Sequence, residues 1–247
     1  MELGLIQNTS TRTSKVLIVI PAYNEEESLV HTVEELTLYF DTFSQENILV
    51  DYIVVNDGSN DSTLNLCRQN GYSVLNLPIN VGLTAGFQTG MKYAYRNGYD
   101  FVIQFDADGQ HKPEYLQEMV KVALEKEADI VIGSRFVTEK KPVSMRMFGS
   151  AIVSAMIKLT SGKRVSDPTS GLRLFDKKMI ESFATDNNFA PEPDTIAFVL
   201  RKGAKVEEVQ VEMRERFAGE SYLTAIRSMS YMMRMGLSIL LLQWVRK

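Results

Sequence analysis

The sequence predicts an α/β fold, a mostly parallel sheet flanked by helices, and two observations predict it. Short apolar runs recur between residues 15 and about 135, each followed by turn residues and then by a segment with helical spacing. Their repeat has the size of a βαβ unit, which joins parallel strands through a crossover helix and covers both faces of the sheet.

The elements follow in order. Residues 16–20 are apolar and end at Pro21, a first strand. From Glu25 to about Phe43, Leu29, Val33, Leu36 and Phe40 recur at helical steps. Residues 50–55 are a second strand, and Asn56-Asp57-Gly58-Ser59 is turn chemistry. Asp61 caps a helix to about Asn70, residues 72–75 form a third strand, and a helix runs from about Leu83 to Arg96. Residues 101–105 are a fourth strand. Pro113 opens a helix at its favoured first position, and 129–132 are a fifth strand. Beyond Arg135 the pattern loosens. Residues 147–159 read as an apolar helix, 167–175 as a loop entering a strand, 193–201 as helix, 206–213 as strand and 224–245 as a long helix. The expected organisation is a flexible leader over 1–14, one domain over 15–225, and an amphipathic C-terminal helix over 226–247.

Composition narrows the function. With 45% apolar and 23% charged residues the chain is globular, and a net charge of −4 argues against nucleic acid as partner. Cys67 is the only cysteine and His31 and His111 the only histidines, so a disulfide, a cysteine zinc site and a multi-histidine site are excluded. Residues 138–164 hold six basic residues against Glu139, and 222–247 hold four against no acid. Both stretches also carry apolar helical sequence, a combination that favours a membrane surface.

The most informative motif is Phe105-Asp106-Ala107-Asp108-Gly109-Gln110-His111. Two carboxylates one residue apart at the end of a buried strand project to the same side. A divalent cation neutralises them, and oxygen ligands suit Mg²⁺ or Mn²⁺; helix-capping aspartates are the bland alternative. No dinucleotide or P-loop glycine pattern occurs. An EF-hand-like calcium loop fails at its sixth and twelfth positions, both after Asp57 and after Asp106. Gly86 and Gly90 fit close helix-on-sheet packing, and Gly82 could offer bare backbone to a ligand.

Together these motifs resemble family 2 glycosyltransferases. The resemblance rests on Pro21-Ala22-Tyr23-Asn24-Glu25, Asn56-Asp57-Gly58-Ser59, Asn80-x-Gly82, Asp106-Ala107-Asp108 and Gly133-Ser134-Arg135. Asp167-x-x-Ser170-Gly171-x-Arg173 and Arg216-x-x-Gly219-x-Ser221 resemble the branch of dolichyl-phosphate mannose synthases and bacterial polyprenyl-phosphate glycosyltransferases. That family implies a GT-A (Rossmann-like) fold and inverting transfer from a nucleotide-sugar, with UDP as the expected nucleotide. By resemblance Pro21, Tyr23, Glu25 and Asp57 hold base and ribose, while Asn80, Gly82 and Ala107 line the nucleotide-sugar site. Asp106, Asp108 and Gln110 hold Mn²⁺ or Mg²⁺ against the diphosphate, and Arg135 adds a positive fork. Arg173 and Arg216 meet acceptor or donor phosphates. Asp167 acts as base or acceptor organiser, with Glu192 and Asp194 as rivals. Tyr222 stands where the family often has lysine.

In the C-terminal helix, Ile226, Met229, Met233, Leu237, Leu240 and Trp244 form an apolar stripe. The nearly all-apolar part, 235–245, is too short to span a bilayer. An interfacial helix is the favoured reading; packing on the domain or on a small membrane-protein partner are the alternatives, and a homo-oligomer is compatible. The expected protein is a metal-dependent glycosyltransferase at the cytoplasmic membrane face, with undecaprenyl phosphate as acceptor. The alternatives are transfer to a hydroxyl of a lipid-linked saccharide and a non-catalytic nucleotide-sugar-binding subunit.

Overall fold

The computed structural model describes residues 13–44, 47–139, 141, 145–215 and 225–242. Most of the leader, together with Arg216, Gly219, Ser221, Tyr222 and Trp244, lies outside these residues. The first apolar run extends into β1 (Ser14–Ala22), which pairs in parallel with β2 (Ile48–Asp57) along its whole length. β3 (Val74–Leu77), β4 (Phe101–Gln104), β5 (Ile130–Ser134), β6 (Arg173–Asp176) and β7 (Val206–Gln210) complete a seven-stranded sheet. Its order is β3-β2-β1-β4-β6-β5-β7. Only β6 runs antiparallel, between β4 and β5.

Successive strand residues face opposite sides of the sheet, and two cores result. Leu17, Val19, Ile53, Val55 and Val102 pack with α4 (Leu83–Arg96), α6 (Met145–Ser161), α7 (Lys177–Thr185) and α8 (Pro193–Arg201). Val16, Ile18, Ile20, Val54 and Ile103 pack with α1 (Leu29–Leu38), α2 (Phe40–Ser44) and α5 (Leu116–Lys126), with Cys67 of α3 (Thr63–Gln69) among them. α4 can lie this close to β1 because Gly90 has no side chain: a Cβ there would stand 2.4 Å from a Val19 methyl.

The helix expected from residue 25 begins instead at Leu29. Residues 24–26 are tied to the loop after β2: Asn24 N donates to Ser59 Oγ, Glu25 N to Thr63 Oγ1 and Glu26 N to Asp61 Oδ2. α7 was not foreseen, although Asp176 caps it, accepting from Met179 N at 2.9 Å.

The C-terminal helix α9 (Ala225–Leu237) is continued by a π-helical turn over Ser238–Leu242. It packs on the domain. Met235 and Ile239 join the core with α6 and α8, whereas Met233 and Leu237, both stripe residues, face outward. α6 and α9 approach closely where Gly149 meets Met232 and Gly236 meets Met156. Among the described residues no helix is long and apolar enough to cross a membrane.

Candidate active site

In an open α/β sheet, ligands bind beyond the carboxyl ends of the strands, where the strand order reverses. Here that place lies between β1 and β4. β1 delivers half-buried Pro21 and Tyr23 to this edge, β2 delivers Asp57, β4 delivers Asp106 and Asp108, and β5 delivers Arg135. β6 runs the other way, so its first residue, Arg173, pairs with the last residue of β4, Gln104. The reversal brings a cation to an edge that otherwise collects strand ends.

Asp57 is almost fully buried and braces the loop before α4. Its two oxygens accept from Val81 N at 2.8 Å and Gly82 N at 2.9 Å. Gly58 turns the chain beneath that loop at φ +65, and a Cβ there would stand 2.3 Å from the Ile79 carbonyl carbon. Asn80 is exposed on the same loop, and Gly82 sits at the start of α4 with φ +87 and open space around it. Glu25 accepts from Ser28 Oγ at 2.7 Å. The side chain of Ala107 is buried, and its carbonyl accepts from Thr32 Oγ1 of α1, so only backbone could meet a ligand there.

The acidic turn is held from several sides. Asp108 Oδ1 accepts from Gln110 N at 3.1 Å, with Gly109 at φ +74 between them. Gln110 Nε2 donates to Arg214 O at 3.3 Å, leaving its Oε1 as a metal-type donor atom. Arg214 also donates to both oxygens of Glu35, at 2.8 and 2.6 Å, which holds that carboxyl below its ordinary range. Two carboxylates and an amide oxygen make a hard-oxygen donor set of the kind that fits Mg²⁺ or Mn²⁺. Among the described residues, no three His, Cys, Asp or Glu side chains converge on a metal-sized site.

Arg135 and Asp167 form a pair that the sequence did not announce. Arg135 Nε donates to Oδ2 at 2.6 Å and Nη2 to Oδ1 at 2.9 Å. Arg135 N and Thr169 Oγ1 take the remaining lone pairs at 3.3 and 3.2 Å. Asp167 is 0% exposed. With four donors on two buried oxygens it has no lone pair for a substrate proton, so its geometry suits positioning rather than base chemistry. Glu208 of β7 accepts from Ser166 N and Asp167 N, and Gln210 donates to Arg135 O. The sequence reading did not mark either residue; their signal is polar Glu208 and Gln210 in a strand at the edge of the sheet.

Arg173 donates to Ser170 O at 2.9 Å and Pro168 O at 2.8 Å, and burial lowers its pKa. Its ionisable neighbours are Tyr231, Asp167, Glu192 and Asp106. Burial, then repulsion by Asp194, raises the Glu192 pKa; Arg234 of α9 stands 3.7 Å from that carboxylate. Asp194 accepts from Ser238 Oγ at 2.7 Å. Tyr231 is pushed up to about 12, chiefly by burial and then by Glu192. The rival carboxylates thus face the C-terminal helix.

A mostly parallel sheet with an acidic turn beyond its fourth strand is the GT-A arrangement. The chain belongs to Glycosyl transferase family 2, whose pattern matches residues 17–183, and it is a glycosyltransferase. It is similar to the undecaprenyl-phosphate mannosyltransferase of Micrococcus luteus, 29% identical over 219 residues that cover 85% of this chain and 88% of the relative. It is also similar to the polyprenol monophosphomannose synthase of Mycolicibacterium smegmatis, 29% identical over 225 residues, covering 86% and 82%. Among solved structures, glucosyl-3-phosphoglycerate synthase from Mycobacterium tuberculosis with Mn²⁺ and UDP-glucose has the same fold. The TM-score is 0.68 at 18% identity, covering 93% of this chain and 79% of that one.

Proposed function

We propose that this glycosyltransferase moves a sugar from a UDP-sugar to a polyprenyl phosphate, with inversion, using Mn²⁺ or Mg²⁺ at the cytoplasmic face of a membrane. Arg173 carries the reading. It is a buried guanidinium beside the acidic turn, and among the described residues it bonds to backbone carbonyls and pairs with no carboxylate. Asp167, Glu192 and Asp106 lie near enough to attract it, yet among the described residues none bonds to it; a buried cation gains from a directly bonded counter-charge, and an acceptor phosphate would supply one.

A phosphate oxygen is already anionic, so its attack on the anomeric carbon needs no general base. The new bond forms as the bond from that carbon to the diphosphate oxygen breaks on the opposite face. Arg135, fixed through Nε and Nη2 by Asp167, presents its remaining nitrogen to the departing diphosphate. Asp106, Asp108 and Gln110 would hold a divalent cation, which would supply charge neutralisation at that leaving group. The names of the relatives support a lipid-phosphate acceptor.

The surface supports a membrane location. Phe148, Ile152 and Leu159 of α6 and Met233, Leu237 and Leu241 of the C-terminal segment are exposed, 40% to 79% each. Exposed Lys158, Lys163 and Arg164 accompany them. Apolar faces on two packed helices with basic residues beside them suit an anionic bilayer surface.

The test is a transfer assay with undecaprenyl phosphate, Mn²⁺ or Mg²⁺ and a panel of labelled UDP- and GDP-sugars. A metal-dependent labelled lipid that releases its sugar in mild acid is expected. No labelled lipid with any donor, while donor binding persists, refutes the phosphate acceptor. It would favour a saccharide hydroxyl, for which Glu192, a carboxylate with a raised pKa, is the available base.

A further inference from the structure

Asp108 accepts a hydrogen bond from the backbone of its own turn, at Gln110 N. The Asp106 side chain is 34% exposed and sits among His111 of the same turn, Gln104 of β4 and Gly171 of a distant loop. On one side is the ring of His111, which is 3% exposed and packs edge-on against Phe105. His111 Nδ1 accepts from Asp106 N at 3.0 Å. An accepting Nδ1 puts the proton of the neutral ring on Nε2, and Nε2 lies 3.6 Å from Asp106 Oδ2. One imidazole therefore bonds the main chain of Asp106 and stands beside the carboxylate of the same residue.

Gly171 forms the other side. A Cβ added there would stand 2.5 Å from Asp106 Oδ2 and 3.5 Å from His111 Cε1. The backbone of Gly171 is not left-handed, so its φ places no demand for glycine. The demand comes from the carboxylate. Gln104 Nε2 closes the third side at 3.4 Å from Oδ1.

We propose that His111 and Gly171 are positioning residues that hold the Asp106 carboxylate in one orientation, and that this seat sets the affinity for the divalent cation. The proposal rests on the reading of Asp106 as a metal ligand. His111 is then not a ligand itself. Gly171 belongs to the loop that also carries Asp167 and leads into Arg173, so one loop places the metal carboxylate and two cations together. The atom displaced by an added Cβ is the end of a flexible side chain, so a methyl group at residue 171 moves the carboxylate at little cost to the fold.

The test measures Mn²⁺ binding directly, by the EPR signal of free Mn²⁺ in the presence of UDP, on the full chain without turnover. Gly171→Ala is expected to weaken Mn²⁺ about 10- to 100-fold, the usual effect of disturbing an outer-shell partner, with an unchanged thermal midpoint. His111→Asn, which keeps an acceptor near the place of Nδ1, is expected to bind Mn²⁺ more tightly than His111→Leu. Wild-type affinity in Gly171→Ala, or equal affinities in folded His111→Asn and His111→Leu, overturns the seat. Absence of Mn²⁺ binding by the wild type overturns the metal reading itself and the seat with it.

Discussion

Replacing Asp167 by Asn separates the two roles that residue could have. The substitution keeps the shape and one acceptor oxygen, but removes the charge that faces Arg135 Nε and Nη2 at 2.6 and 2.9 Å. Breaking a buried pair by removing one partner costs about 3–5 kcal/mol. Arg135 is 20% exposed and can partly rehydrate, and the amide oxygen still accepts one bond, so about 2 kcal/mol is expected here. Urea unfolding measures it. For activity, a loosened Arg135 loses roughly one charge-assisted contact to the leaving diphosphate. That is worth about 1.5–3 kcal/mol, or roughly 10- to 100-fold in kcat/KM, with a raised donor KM and an unaltered pH profile. A general base behaves differently: a folded Asp167→Asn enzyme with normal donor KM would lose kcat by 10³-fold or more, and the acid limb of its pH profile would vanish. That second pattern would refute the positioning argument.

Other outcomes follow from the same geometry. Asp108→Ala should abolish turnover and the Mn²⁺ dependence of UDP binding, measured by calorimetry with and without metal. Phe148→Glu combined with Leu237→Glu should release the protein from anionic vesicles in a sedimentation assay. Its melting temperature should stay within a degree or two, because both side chains are exposed, 64% and 59%. Asp176→Asn should stabilise the protein above pH 6 and not at pH 4. Burial raises the Asp176 pKa from 3.8 to about 6, so its favourable protonated state is complete below the unfolded pKa and is lost as pH rises through 6. The asparagine caps equally well. After discounting for partial exposure the gain is about 1–2 kcal/mol at pH 8, read from unfolding curves at the two pH values.

The fold was legible where local chemistry marks an end. α4 and α8 begin and stop where the sequence predicted, because Gly82 and Pro193 punctuate them. The acidic turn was legible because two aspartates after a buried run have few other uses. Strand direction was not: Arg173–Asp176 is four residues long, and nothing in them tells parallel from antiparallel. The Arg135–Asp167 pair was hidden because both residues sit in separate motifs, and each read alone looks like a ligand contact. The buried face of the C-terminal helix was not legible. From Met235 onward it is apolar nearly all round, so periodicity could not distinguish the face of Met235 and Ile239, which the domain covers, from that of Met233 and Leu237, which it leaves open.

The insertion of β6 also dictates an order of events during synthesis. β5 touches the sheet only through β6 and β7, and β4 pairs on its far side only with β6. Until residue 173 has emerged from the ribosome, Phe101, Val102 and Ile103 form an uncovered apolar edge, the kind that recruits strands from other chains. A nascent chain can settle β1 to β4 early, but joining the halves waits for four residues made late, and the contacts they close are long-range and slow. Ribosome stalling between β5 and β6 would therefore prolong the exposure of that edge.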